Sequence, residues 1–61
     1  MGRWCVEASE DGRVWRELAS FFFARYALAT FDLELAREAH AFLRLVGPDG
    51  KVHERARPVL C

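Results

Sequence analysis

The chain has 61 residues, nine Lys+Arg against nine Asp+Glu for a formal net charge of +0, and a hydrophobic fraction of 52%. That length holds one small domain (residues 1–61), and the apolar fraction excludes a disordered chain. The balanced charge excludes an acidic or basic tail, and no apolar run reaches the ~18–20 residues of a membrane span.

Ile, Asn and Gln are absent, and Lys51 is the single lysine. Ala, Arg and Gly have GC-rich codons, so this bias points to a bacterium or its phage, and the Arg excess is not by itself phosphate recognition. Cys5 and Cys61 are the two cysteines. A secreted scaffold of this size is usually richer in them, so they read as free thiols in a reducing cytoplasm. The start, Met1-Gly2-Arg3-Trp4 with Glu7 soon after, has no signal-peptide core.

The first element expected is a strand over 3–9, where Trp4, Val6 and Ala8 alternate with Cys5, Glu7 and Ser9. A turn follows at Glu10-Asp11-Gly12. Its pattern recurs: Ser9-Glu10-Asp11-Gly12-Arg13-Val14 matches Gly47-Pro48-Asp49-Gly50-Lys51-Val52. In each, the pair before Gly suits the centre of a type I turn, and Gly takes the left-handed position that closes a three-residue hairpin loop. The second strand is expected over 13–20. Trp15, Leu18 and Phe21 break strict alternation there, so a bulge near Arg16-Glu17 is expected.

A helix is expected over 22–41, a stretch without Gly or Pro and rich in alanine. Ala24, Leu28, Phe31, Leu35, Ala39 and Phe42 form its apolar stripe, with Leu28, Phe31 and Leu35 as core. Arg25, Asp32, Glu34, Arg37 and Glu38 lie opposite, with Glu34 and Arg37 spaced to pair. His40 would sit near the helix C-terminus. Strands over 42–46 and 51–57 complete an α+β fold: ββαββ, an antiparallel sheet with one helix on one face. The rival reading is a helix pair over 13–29 and 32–45, which leaves the duplicated turn unexplained.

One helix covers one sheet face. The other face is expected to carry Cys5, Glu7, Arg44, His53, Arg55 and Arg57, with Trp15 or Arg16 from the second strand. Phe21-Phe22-Phe23 cannot all point inward, so at least one ring belongs to a rim or an interface with a partner or a second copy. Asp32, Glu34 and Glu38 outnumber Arg37, whereas Lys51, Arg55 and Arg57 outnumber Glu54, so an acidic face and a basic edge are expected.

Catalysis would need Cys5 with His40 or His53 and an orienting acid, and no local signature arranges them. Cys5, His40, His53 and Cys61 lack zinc-site spacing, and no phosphate loop is present. The expectation is a non-enzymatic binder without cofactor or metal. Its contact residues are Arg44, Arg55, Arg57, Trp15, Phe22 and His53. The partner expected is a protein or ribonucleoprotein complex, with no membrane partner. Nucleic acid held on the open sheet is the alternative, though zero net charge is unlike a nucleic-acid binder. A homodimer and a toxin–antitoxin or regulatory subunit fit the same residues.

The layout Trp4-x-Val6, Glu10-Asp11-Gly12, Trp15, Ser20-Phe21 and Gly47-Pro48-Asp49-Gly50 resembles small bacterial and phage hairpin–helix–hairpin proteins. With the size and GC-rich bias, it is similar to mobile-element inhibitors of the anti-CRISPR type. That resemblance implies occlusion of a CRISPR effector surface. Many such inhibitors are strongly acidic DNA mimics. This chain is not, so the resemblance implies occlusion of a protein or nucleic-acid groove.

Overall fold

The computed structural model describes residues 2–37 and 39–56, with the Ala56 side chain left aside. Glu38, Arg57 and Cys61 therefore lie outside the described residues. The elements are β1 (Trp4–Ser9), β2 (Arg16–Phe21), α1 (Ala24–Arg37), β3 (Phe42–Val46) and β4 (Val52–Ala56). The strands form one antiparallel sheet in the order β2-β1-β3-β4. The fold is ββαββ, as the sequence pattern implies. The helix pair fails because 16–21 is a strand.

β1 and β3 are central, and their alternation builds the core. Val6 and Ala8 pair across the ladder with Leu45 and Leu43, and all four are buried against Ala27 and Phe31 of α1. Trp4, Leu18, Phe21 and Leu35 close the margins of this core.

The two similar turn sequences fold differently. Around Pro48-Asp49, the Gly50 N–H donates to the Gly47 carbonyl and the Gly47 N–H to the Lys51 carbonyl, both at 2.9 Å. Gly50 has φ 81°, so this is the three-residue loop expected. Gly12 is also left-handed, at φ 79°. Yet β2 begins at Arg16, not at Arg13, and residues 10–15 form a longer loop. The cause is the residue before the turn. Gly47 has no side chain, whereas the Ser9 hydroxyl accepts the N–H groups of Asp11 (3.3 Å) and Gly12 (2.8 Å). Asp11 Oδ1 then accepts those of Arg13 (2.8 Å) and Val14 (3.0 Å). These donors are thus committed to side chains and do not start a ladder.

The helix is shorter than 22–41 and turned about its axis. Its first turn is closed by the Ala27 N–H on the Phe23 carbonyl at 3.4 Å. His40 lies past its end and folds back onto Glu34, with Nε2 3.1 Å from Oε1, so it makes a side-chain contact and not a dipole contact. Inward positions are Ala27 (0% exposed) and Phe31 (6%), whereas Leu28 is 42% exposed. Leu28 was expected in the core, and Ala27 takes that place. A methyl group lets the helix backbone approach the sheet closely, where leucine would overfill the gap. Among the described residues, no helix is long and apolar enough to cross a membrane.

Candidate functional site

The helix-free face of the sheet is assembled by register. Val6 and Ala8 face the helix, so Cys5 and Glu7 face away. Glu7 pairs with Arg44 on β3, Arg44 with Arg55 on β4, and Glu7 with Glu17 on β2. One row across all four strands therefore reads Glu17, Glu7, Arg44, Arg55: two negative charges, then two positive.

Contacts within the row are unequal. Arg44 Nε donates to Glu7 Oε1 at 2.6 Å, and the two side chains are only 27% and 21% exposed. The Arg44 guanidinium also lies over the Trp15 ring, 4.1 Å from its centroid. Trp15 ends the β1–β2 loop, and that loop folds back over this face. Its Gly12 lies against the Phe42 ring. Arg55 and Glu17 at the two edges are exposed. Like charges directly opposite on neighbouring strands repel, and Glu7 compensates Arg44 alone. The Arg55 charge faces solvent beside a stacked Trp–Arg pair.

Cys5 is a free thiol on this face and donates to Glu17 Oε1 at 3.3 Å. Partial burial pushes its pKa up, and the bond to Glu17 and the charges of Glu17 and Glu7 add to the rise, while Arg3 opposes them. The thiol is therefore held protonated, the opposite of an activated nucleophile.

The expected contact residues do not form one patch. Arg44, Arg55 and Trp15 come together. Phe22 does not: it lies past the far end of β2, 71% exposed, with the Arg3 guanidinium 4.7 Å from its ring centroid. Trp15 and Phe22 flank a six-residue strand, so they are ~20 Å apart. His53 is also elsewhere. Pairing passes from Leu45↔Glu54 to Val46↔Val52, which leaves His53 as the extra residue of a bulge. Its ring turns to the Trp4 side, with centroids 4.8 Å apart. It crosses Gly47, where a Cβ would collide with it, and lies 3.4 Å from Asp49 Oδ1. Arg57 lies outside the described residues.

Glu17 is the member of the row that alternation alone misses. Val6 pairs with Ala19 but Glu7 with Glu17, so Leu18 is an extra residue in β2. This bulge lies next to the Arg16-Glu17 position expected for it. It turns Leu18 toward the core and brings Glu17 to the helix-free face. The expected acidic helix face is also partly spent: Glu34 holds Arg37 at 3.2 Å and His40 at 3.1 Å.

Among the described residues, no three His, Cys, Asp or Glu side chains gather as a metal site would need. No family model, curated protein or solved structure matches the chain.

Proposed function

We propose that this chain is a non-enzymatic binding protein that occludes a surface of a protein or ribonucleoprotein complex in the cytoplasm, through the helix-free sheet face. The observation that carries this reading is the four-strand row of Glu17, Glu7, Arg44 and Arg55. Its ends have opposite sign, so it suits a partner surface that is acidic at one side and basic at the other. A uniform phosphate backbone would gain at Arg55 and lose at Glu17. Trp and Arg are the residue types that dominate binding energy at interfaces. Here the Trp15 ring and Arg44 guanidinium are already stacked, so less ordering remains for the binding step.

The resemblance to anti-CRISPR-type inhibitors makes a bacterial CRISPR effector complex the first partner to test. The purified protein is mixed with such a complex, and in parallel with labelled single- and double-stranded nucleic acid at low and physiological salt. The expected result is inhibition of the complex, with nucleic acid left unbound. Arg55→Glu and Trp15→Ala should each lose the inhibition while the fold melts normally. Micromolar, salt-sensitive binding to nucleic acid alone would instead establish a nucleic-acid binder. Inhibition that survives Arg55→Glu would remove the sheet face as the contact surface.

A further inference from the structure

The outer face of α1 carries a second apolar stripe that the core does not use. Within α1, Tyr26, Ala29, Leu33 and Ala36 follow one another at spacings of three, four and three, and Phe22 and Phe23 lie just before its first residue. At about 100° per residue, this stripe lies opposite Ala27 and Phe31. Its large members, Tyr26 (54%) and Leu33 (61%), are exposed, as are Phe22 (71%) and Phe23 (64%) before the first turn. Tyr26 is buttressed by the Phe23 ring at 6.1 Å. Alternating spacings of three and four are the seam of a two-helix packing, whereas a solvated face needs no such period.

The charges beside the stripe say what covers it. Arg25 and Asp32 flank it on the same side, seven residues apart. Among the described residues, neither is held in a salt bridge. Two antiparallel copies of α1, set with Tyr26 against Ala29 and Leu33 against the Phe22–Phe23 end, bring Arg25 of each copy opposite Asp32 of the other. Sliding this pairing by one heptad would place Asp32 against Asp32. The charge pattern is thus complementary to itself under a two-fold axis and selects one register. A parallel pairing would set Asp32 against Arg37, which Glu34 already holds at 3.2 Å.

We propose that the outer face of α1 is the seam of a homodimer, with a second copy of this chain packed antiparallel. The seam is short, a 14-residue helix of ~21 Å, so the dimer is a transient one. It leaves both helix-free sheet faces uncovered and is independent of the function proposed for them.

Sedimentation of the protein in reducing buffer, over about a hundredfold range of concentration up to millimolar, tests this. The expected result is a reversible doubling of mass. Leu33→Glu should abolish it with unchanged circular dichroism. Arg25→Asp or Asp32→Arg should each weaken it about three- to tenfold, since symmetry doubles every lost pair. The double reversal R25D/D32R should restore it. A protein that stays monomeric throughout overturns the proposal, as does a dimer that survives Leu33→Glu. A dimer broken by Arg55→Glu would pair through the sheet and overturn it too. Single charge reversals without effect, or a double reversal that fails to restore, would overturn the antiparallel register.

Discussion

Truncating Phe31 tests the packing most directly, because its neighbour in the expected stripe provides an internal control. Phe31 is 6% exposed and belongs to one cluster with Val6, Ala8, Leu43, Leu45 and Ala27. Removing such a ring costs about 3–5 kcal/mol, transfer and cavity together. A core of this size supplies no more than about 3–5 kcal/mol in all, so Phe31→Ala should be largely unfolded without denaturant. Leu28 is 42% exposed. Full burial of a leucine contributes about 1.5–3 kcal/mol, so Leu28→Ala should cost only about 1 kcal/mol. Phe31→Leu removes less of the ring's volume than alanine does, so it costs less and keeps the fold measurable. Urea titrations followed by circular dichroism at 222 nm (roughly the helix band) read Leu28→Ala and Phe31→Leu as midpoints, and Phe31→Ala as helix signal lost before urea is added. Equal losses at Leu28 and Phe31 would refute the rotation of the helix about Ala27. A Phe31→Ala protein that unfolds like the parent would refute the core itself.

Gly47→Ala should drive the His53 ring off Trp4, because the new Cβ meets that ring. Tryptophan fluorescence and the His53 ring signals should both change. Gly50→Ala has nothing within 4 Å and a φ of +81°, so it should cost about 1 kcal/mol through the backbone and leave those signals alone. Acid stability should depend on Asp11, whose pKa is held below 3.8 by the backbone N–H groups of Val14 and Arg13 and by Ser9. A group depressed in the folded state contributes stability above its unfolded pKa and loses it as pH falls through the folded value. Stability should therefore decline below pH 3.8, and Asp11→Asn should flatten that decline. An unchanged acid limb in this variant would show that the loop bonds survive protonation.

The element order was legible because strong local signals agreed. Alternation marked β1, the glycine-free alanine-rich stretch marked α1, and Pro48-Asp49-Gly50 marked its turn. Three features were hidden, each for a physical reason. One is the parity change at two single-residue bulges: the bulge in β2 is expected near Arg16-Glu17 but falls at Leu18, and the one at His53 has no sequence signal, so alternation puts His53 on the wrong face and overlooks Glu17. The first turn copies the sequence of the second, but the Ser9 hydroxyl captures N–H groups that Gly47 leaves to the backbone. The helix carries apolar residues on both sides. Periodicity alone does not reveal that small Ala27 points inward while Tyr26 and Leu33 point out. The row of charges depended on register, which emerges only when all four strands are paired.

The order of charges in that row is not what sets the fold. The register is fixed by Val6, Ala8, Leu43 and Leu45, which would turn outward if any central strand slipped by one residue. Its four charged positions lie on the other face, where threonine at the exposed edge positions, Glu17 and Arg55, would suit a strand as well. Two of the three cross-strand contacts, Glu17 with Glu7 and Arg44 with Arg55, set like charges side by side and oppose stability. Only the central Glu7–Arg44 pair returns something, as a 2.6 Å bond. Alternating the same four charges would have made three favourable contacts and a weaker separation of charge across the face. The order present gives weaker cohesion and a face with a negative and a positive side. Such polarity orients whatever approaches the sheet, and it distinguishes a partner of mixed charge from one of a single sign.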